Sequence, residues 1–181
     1  MRVKVAIIIC LTVLLAGCAI SDTAELKHVV KEYDKKLATA LACGNAEVLT
    51  ECATKDQIGK VYIFISQLLM NNKLLKAELV NLKFVEARKV TAGEVEKLYN
   101  QRKERLEKQN LFVAPFEVSD KVFNALVRTK ETWKYTYIDC QNGQPTGEVQ
   151  SISYQTTYFL LMKKDRWLID TINTIEIPLT E

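Results

Sequence analysis

The chain predicts an α+β domain, with N-terminal helices packed on an antiparallel sheet. Two observations carry that prediction. Up to about Met70 the apolar residues recur at three- and four-residue steps, whereas beyond Asn71-Asn72 they alternate with polar ones. Short turn signals join the later alternating segments, so consecutive strands are antiparallel neighbours.

Ahead of the first helix lies a different kind of segment. Arg2 and Lys4 form a basic head, Val5 to Leu15 an apolar run, and Leu15-Ala16-Gly17 a small-residue break before Cys18. These are the parts of a secretory signal peptide, predicted over residues 1–17. The run from Val5 to Ile20 is shorter than the roughly 20 apolar residues a bilayer span needs, and it contains Thr12. Leu15-Ala16-Gly17-Cys18 resembles the lipobox of bacterial lipoproteins. That resemblance implies lipidation of Cys18, cleavage just before it, and a membrane-anchored protein on the exported side. Residues 18–22 would be a short tether, and 23–181 a single domain. Ala19, where some lipoproteins carry Asp, implies by the same resemblance an outer membrane facing the periplasm if the host is Gram-negative.

Composition narrows the class. The chain has 25 Lys and Arg against 22 Asp and Glu; Arg2 and Lys4 leave with the signal, so 23 bases face 22 acids. A balance of +1 gives no basis for nucleic-acid binding by bulk charge. Three prolines, six glycines and no low-complexity tract give no sign of a linker. Apart from Cys10 in the signal and Cys18, the cysteines are Cys43, Cys52 and Cys140. Cys43 and Cys52 flank the break at Gly44-Asn45. A disulfide between them would staple one helix end to the next; two free thiols are the alternative, as expected in an anaerobic host. No metal site or cofactor is predicted, because the cysteine spacings are not those of a zinc site and His28 is the lone histidine.

The first domain helix is predicted from Asp22, spaced to Glu25 as in a capping box, to about Ala42, where Gly44 stops it. Leu26, Val29, Val30, Tyr33, Leu37, Ala40 and Leu41 form its apolar stripe, and His28 falls on the opposite, solvated face. A short helix follows from Asn45 to about Cys52. The third is capped by Thr54 and Gln57, with Ile58, Val61, Tyr62, Ile65, Leu68 and Leu69 on its stripe. Ile63, Phe64 and Met70 add apolar surface outside that stripe, which predicts burial on more than one side.

Val80, Leu82 and Phe84 mark one face of a first strand ending near Val90. Thr91 to about Asn110 predicts a charged helical insertion, capped by Thr91 and Glu94, with Val95, Leu98, Tyr99 and Leu106 as a thin stripe. It is read as a solvated surface helix or as an arm that docks a partner or covers the sheet. Phe112 to Val118 returns as an edge strand. Three long strands follow, over Phe123–Asp139, Ile152–Lys163 and Arg166–Ile177, rich in Val, Ile, Thr, Tyr and Trp. Asn142-Gly143 and Thr146-Gly147 mark the turn between the first two, and Lys164-Asp165 makes a tight hairpin between the last two. On the last strand Trp167, Ile169 and Ile175 share one face, and Leu168, Asp170 and Ile172 the other.

Tyr158-Phe159-Leu160-Leu161-Met162-Lys163-Lys164-Asp165-Arg166-Trp167-Leu168-Ile169-Asp170 reads as an apolar strand, a charged turn and Trp-x-Ile-Asp. With helices before it, this resembles the nuclear transport factor 2-like superfamily, whose sheet is curved into a cone. Glu131-Thr132-Trp133-Lys134-Tyr135 resembles the central strand of that fold's intermembrane-space type. The resemblance implies a scaffold shared by enzymes, ligand binders and assembly modules.

Three functions follow. The first is a non-catalytic binding or assembly domain, docking a protein partner or a second copy through the sheet, since both faces of the last strand are partly apolar. The second is a small-molecule binder whose apolar pocket is lined by Trp133, Tyr135 and Tyr154, with Tyr137 and Tyr158 as further aromatic candidates. The third is an isomerase- or dehydratase-like enzyme using Glu131. That residue is an acid on the apolar face of Ala125, Val127, Thr129, Trp133 and Tyr135, where a closed pocket would raise its pKa toward that of a general base. The alternative for Glu131 is a structural carboxylate paired with an arginine such as Arg88, or one sitting at the sheet rim.

Overall fold

The computed structural model describes residues 2–91 and 124–178, with side chains from Thr23 onward. Within 92–123 it describes only Gly93, Glu94, Glu96, Lys97, Asn100, Glu104, Glu107 and Lys108. Helix α1 spans Arg2–Cys43, a 3-10 turn Ala46–Leu49, and helix α2 Lys55–Met70; strands β1 Lys73–Lys89, β2 Ala125–Asp139, β3 Pro145–Lys163 and β4 Arg166–Ile177 follow. The four strands form one antiparallel meander in the order β1-β2-β3-β4. The helices pack on one face of this sheet, as an α+β domain.

Helix α1 is continuous through Cys18 and Ser21-Asp22. Asp22 therefore does not begin a helix, and residues 18–22 lie within α1. Leu26, Val30, Tyr33, Ala40 and Leu41 are buried, and His28 is exposed. The helix ends at Gly44, whose φ of 70° suits a residue without a side chain; an added Cβ there would also meet Leu74 at 3.1 Å.

Asn45 caps the 3-10 turn by accepting from the Glu47 backbone N–H. Thr54 caps α2 by accepting from the Gln57 N–H. The Gln57 side chain does not close a capping box; it donates to the Tyr33 hydroxyl at 2.9 Å. Between the two helical pieces, Ile169 donates its N–H to Cys52 and accepts from Thr54, so residues 52–54 run along the β4 edge. That pairing covers part of an otherwise open strand edge.

Only Gln57, Val61, Ile65 and Leu68 of α2 are buried. Tyr62, Ile63, Phe64, Leu69 and Met70 are exposed, contrary to the expected burial on more than one side, because α2 meets the rest of the protein along a single stripe.

Two bulges adjust β1. The register against β2 shifts between Leu79 and Asn81 and again between Phe84 and Glu86. Val80 is the extra residue of the first, so it faces solvent, and Leu79 and Leu82 both oppose inward residues of β2. The expected face of Val80, Leu82 and Phe84 is corrected accordingly. In β4 a shift opposite Phe159/Leu160 puts Trp167, Ile169 and Ile172 into the core and leaves Ile175 exposed. The predicted face of Trp167, Ile169 and Ile175 therefore holds only for its first two members. Thr146-Gly147 lies inside β3, not in the turn: Gly147 has φ 81° beside a register shift at Tyr135/Tyr137, and the reversal is made at Asn142-Gly143.

The outer face of the sheet carries exposed Lys76, Glu78, Lys83, Lys130 and Lys134. At one end it also carries a small apolar cluster of Val90, Leu126 and Phe159. Thr91 and Glu94 make the predicted cap, with the Thr91 N–H and hydroxyl both donating to Glu94 Oε2. The insertion's apolar residues Val95, Leu98, Tyr99 and Leu106, the edge strand Phe112–Val118 and Phe123 lie outside the described residues.

Candidate functional site

The site lies between α1 and the inward face of β2, β3 and β4. The two-residue period of β2 points Thr129, Glu131 and Trp133 at the helix, and β3 brings Thr156 and Tyr158 alongside. From α1, Tyr33 and Asp34 reach down. The Tyr33 ring meets that of Tyr158 edge-on, with centroids 6.2 Å apart.

Four donors converge on Glu131. Thr129 and Tyr158 donate to Oε1, the latter at 2.8 Å, and Trp133 Nε1 and Thr156 donate to Oε2 at 3.0 and 3.3 Å. A carboxylate offers about four acceptor positions, so these partners occupy its capacity. Arg88 is not among them: it pairs with Glu86 at 2.6 Å and Glu94 at 2.8 Å, toward the strand end. The expected arginine partner is thus replaced by hydroxyls and an indole.

The Tyr158 hydroxyl also lies 2.8 Å from Asp34 Oδ1. One hydroxyl proton serves one carboxylate at a time, so both bonds form together only when a second proton sits on the carboxyl side. Asp34 is the carboxyl whose surroundings favour the proton. Burial raises its pKa well above the ordinary 3.8, and the charge of Glu131 raises it further, against a smaller lowering by the Tyr158 bond. The chain of donors therefore runs from Asp34 to Tyr158 to Glu131. Asp34 Oδ2 is buried without a hydrogen-bond partner. The Tyr158 hydroxyl is itself pushed far up, first by burial and then by the two carboxyls, so it stays protonated.

Beside this triad is a cavity of about 330 Å³, bordered by Tyr33, Asp34, Leu37, Glu131, Trp133, Tyr135, Tyr154, Thr156, Tyr158, Ile172 and Thr174. A second lobe of about 420 Å³ opens beyond it toward α2, where Gln57, Lys60, Phe64, Tyr137 and Gln150 contribute. Each is within the usual size of small-molecule sites. The three predicted pocket residues, Trp133, Tyr135 and Tyr154, all border the inner lobe, and Trp133 stacks on Tyr135 at 6.2 Å. Asp34 is the site residue that a reading of apolar periodicity passes over. Its spacing from Val30 and Leu37, four and three residues, places an acid on the buried stripe of α1, and that is the signal that reveals it.

Cys43 and Cys52 are both free thiols, as is Cys140. Cys52 is buried, which raises its pKa to about 11, and it donates to the Leu49 carbonyl, while Cys43 is exposed. Among the described residues no group of three His, Cys, Asp or Glu side chains is placed to hold a metal ion.

Compared with family models and with curated proteins, the sequence matches none. Among solved structures it is similar to the intermembrane-space region of the chloroplast protein ARC6, with a TM-score of 0.57 and 14% identity, covering 86% of this chain and 98% of that one. It is also similar to a putative calcium/calmodulin-dependent protein kinase II association domain from Xanthomonas campestris, with a TM-score of 0.40 and 14% identity over 83% of this chain and 87% of that one. The likeness to the ARC6 region is one of fold: helices packed on one face of an antiparallel sheet.

Proposed function

We propose that this chain is a lipid-anchored cell-envelope protein, held in the membrane through Cys18, whose α+β domain is a non-catalytic binding or assembly module. The observation that carries the module is the outward face of α2. Tyr62, Ile63 and Met70 are 64, 60 and 82% exposed, and Leu69 lies beside them on the same 16-residue helix, with Phe64 on the flank that borders the outer lobe of the cavity. Contiguous exposed apolar surface marks an interaction site. The saturated Glu131 supports the non-catalytic part, since no lone pair remains to take a proton from a substrate. The lipobox-like Leu15-Ala16-Gly17-Cys18 supports the anchor.

The test compares the full chain with an Ile63→Lys/Met70→Lys variant, by sedimentation in detergent and by crosslinking in cells. The wild type should self-associate or crosslink to one recurrent partner, and the variant should do neither. A wild type that is monomeric with no recurrent partner would sink the proposal. A second reading, binding of a small molecule between helices and sheet, is favoured by the cavity beside Asp34.

A further inference from the structure

The inner lobe has walls of one electrostatic kind. Among its bordering residues Asp34 and Glu131 are the ionisable acids, and none is Lys, Arg or His; Lys60 borders only the outer lobe. Glu131 is fully occupied by donors, whereas Asp34, 1% exposed, keeps Oδ2 without a partner. A buried acceptor left unpaired is costly, and a donor in the cavity would remove that cost once the Asp34 carboxyl, which borders the cavity, turns Oδ2 toward it. Around it stand Tyr33, Trp133, Tyr135 and Tyr154, and aromatic faces attract cations.

We propose that the inner cavity binds a small organic ammonium ion, with an N–H of the ligand donating to Asp34 Oδ2 and the aromatic walls enclosing its hydrocarbon part. This rests on the small-molecule reading above and names the chemistry of its ligand. A neutral donor would satisfy Oδ2 equally well, but only a cation also offsets two carboxyl groups in one cavity without a basic side chain. In the free protein a proton on Asp34 does that. When the ammonium binds, this proton passes to solvent and the ion pair takes its place. The titratable groups facing Asp34 are Tyr158 from β3, Glu131 and Tyr135 from β2, Tyr33 of α1 itself and Cys52 from the segment before α2. The tyrosines are held protonated by burial, so the proton released on binding comes from Asp34.

The experiment is titration calorimetry on the full chain in detergent, with 2-phenylethylamine and its neutral counterpart 2-phenylethanol as probes. Repeating it in two buffers of different ionisation enthalpy counts the protons released. The amine should bind at least about tenfold more tightly than the alcohol, with release of about one proton and an affinity that rises with pH. In Asp34→Asn the preference for the amine should vanish. Equal binding of amine and alcohol would overturn the cation while leaving the small-molecule reading in place. Binding of neither would overturn both, leaving a cavity that holds water. An amine preference that persists in folded Asp34→Asn, or amine binding without proton release, would remove Asp34 from the site; the proton count needs no variant.

Discussion

Tyr158 joins an α1 acid to a β2 acid through one hydroxyl, so its removal is felt on both sides. Tyr158→Phe keeps the ring against Tyr33 but leaves buried oxygens of Asp34 and Glu131 short of a partner. The expected loss is about 1 to 3 kcal/mol, read as a lower denaturant midpoint at unchanged m-value. Asp34 makes a pH-dependent contribution of definite sign. Its native pKa is raised above the unfolded value near 3.8, so between the two the folded chain binds the extra proton. Stability from this group is full below the unfolded value and is lost as pH rises through the native one. Asp34→Asn removes the titration. The wild type should therefore lose stability relative to the variant as pH rises above about 3.8 and through the native value, and parallel unfolding profiles would contradict the assignment. At this scale Glu131, Trp133 and Tyr154 were legible because a period of two fixes their face. The Asp34 bond was not, because contact between α1 and β3 spans 124 residues of sequence.

The element boundaries show where local pattern stops being informative. Strand β4 was readable from Arg166 to Ile177, since its turn and its alternation agree. The bulges at Val80 and opposite Phe159/Leu160 were not, because each inserts one residue and reverses the apparent face of everything after it. Helix α2 shows a second limit: periodicity tells which residues share a side, not whether anything covers it. The β3–β4 hairpin offers a test of the local chemistry. Lys164 and Asp165 have φ of 50° and 58°, a left-handed pair that asparagine and glycine adopt more readily. Lys164→Asn/Asp165→Gly should stabilise the domain by about 1 kcal/mol, seen as a higher unfolding temperature without change in the fold. A drop in stability would mean that the native side chains make contacts that outweigh the backbone strain.

For the whole molecule the question is how the domain stands relative to a membrane. Helix α1 runs without a break from Arg2 to Cys43, and Leu26 is the first buried one among its described side chains. Cleavage before Cys18 would leave a helix whose anchored end lies eight residues from Leu26, which is about 12 Å at 1.5 Å per residue. The domain would then be held close to the lipid surface by a rigid stem. Two or more acyl chains on Cys18 would make that attachment stable, where one alone gives only marginal binding. Cys18→Ser removes the thiol that accepts the lipid. The variant should accumulate as an unlipidated precursor that retains residues 1–17, shown by intact mass, and should either leave the membrane on detergent-free washing or stay only through that uncleaved segment. Trimming the segment at an engineered protease site then distinguishes the two forms of retention, because the trimmed variant should wash off while the wild type does not. Normal cleavage together with membrane retention in Cys18→Ser would refute the anchor and leave the domain's attachment to its apolar α2 face.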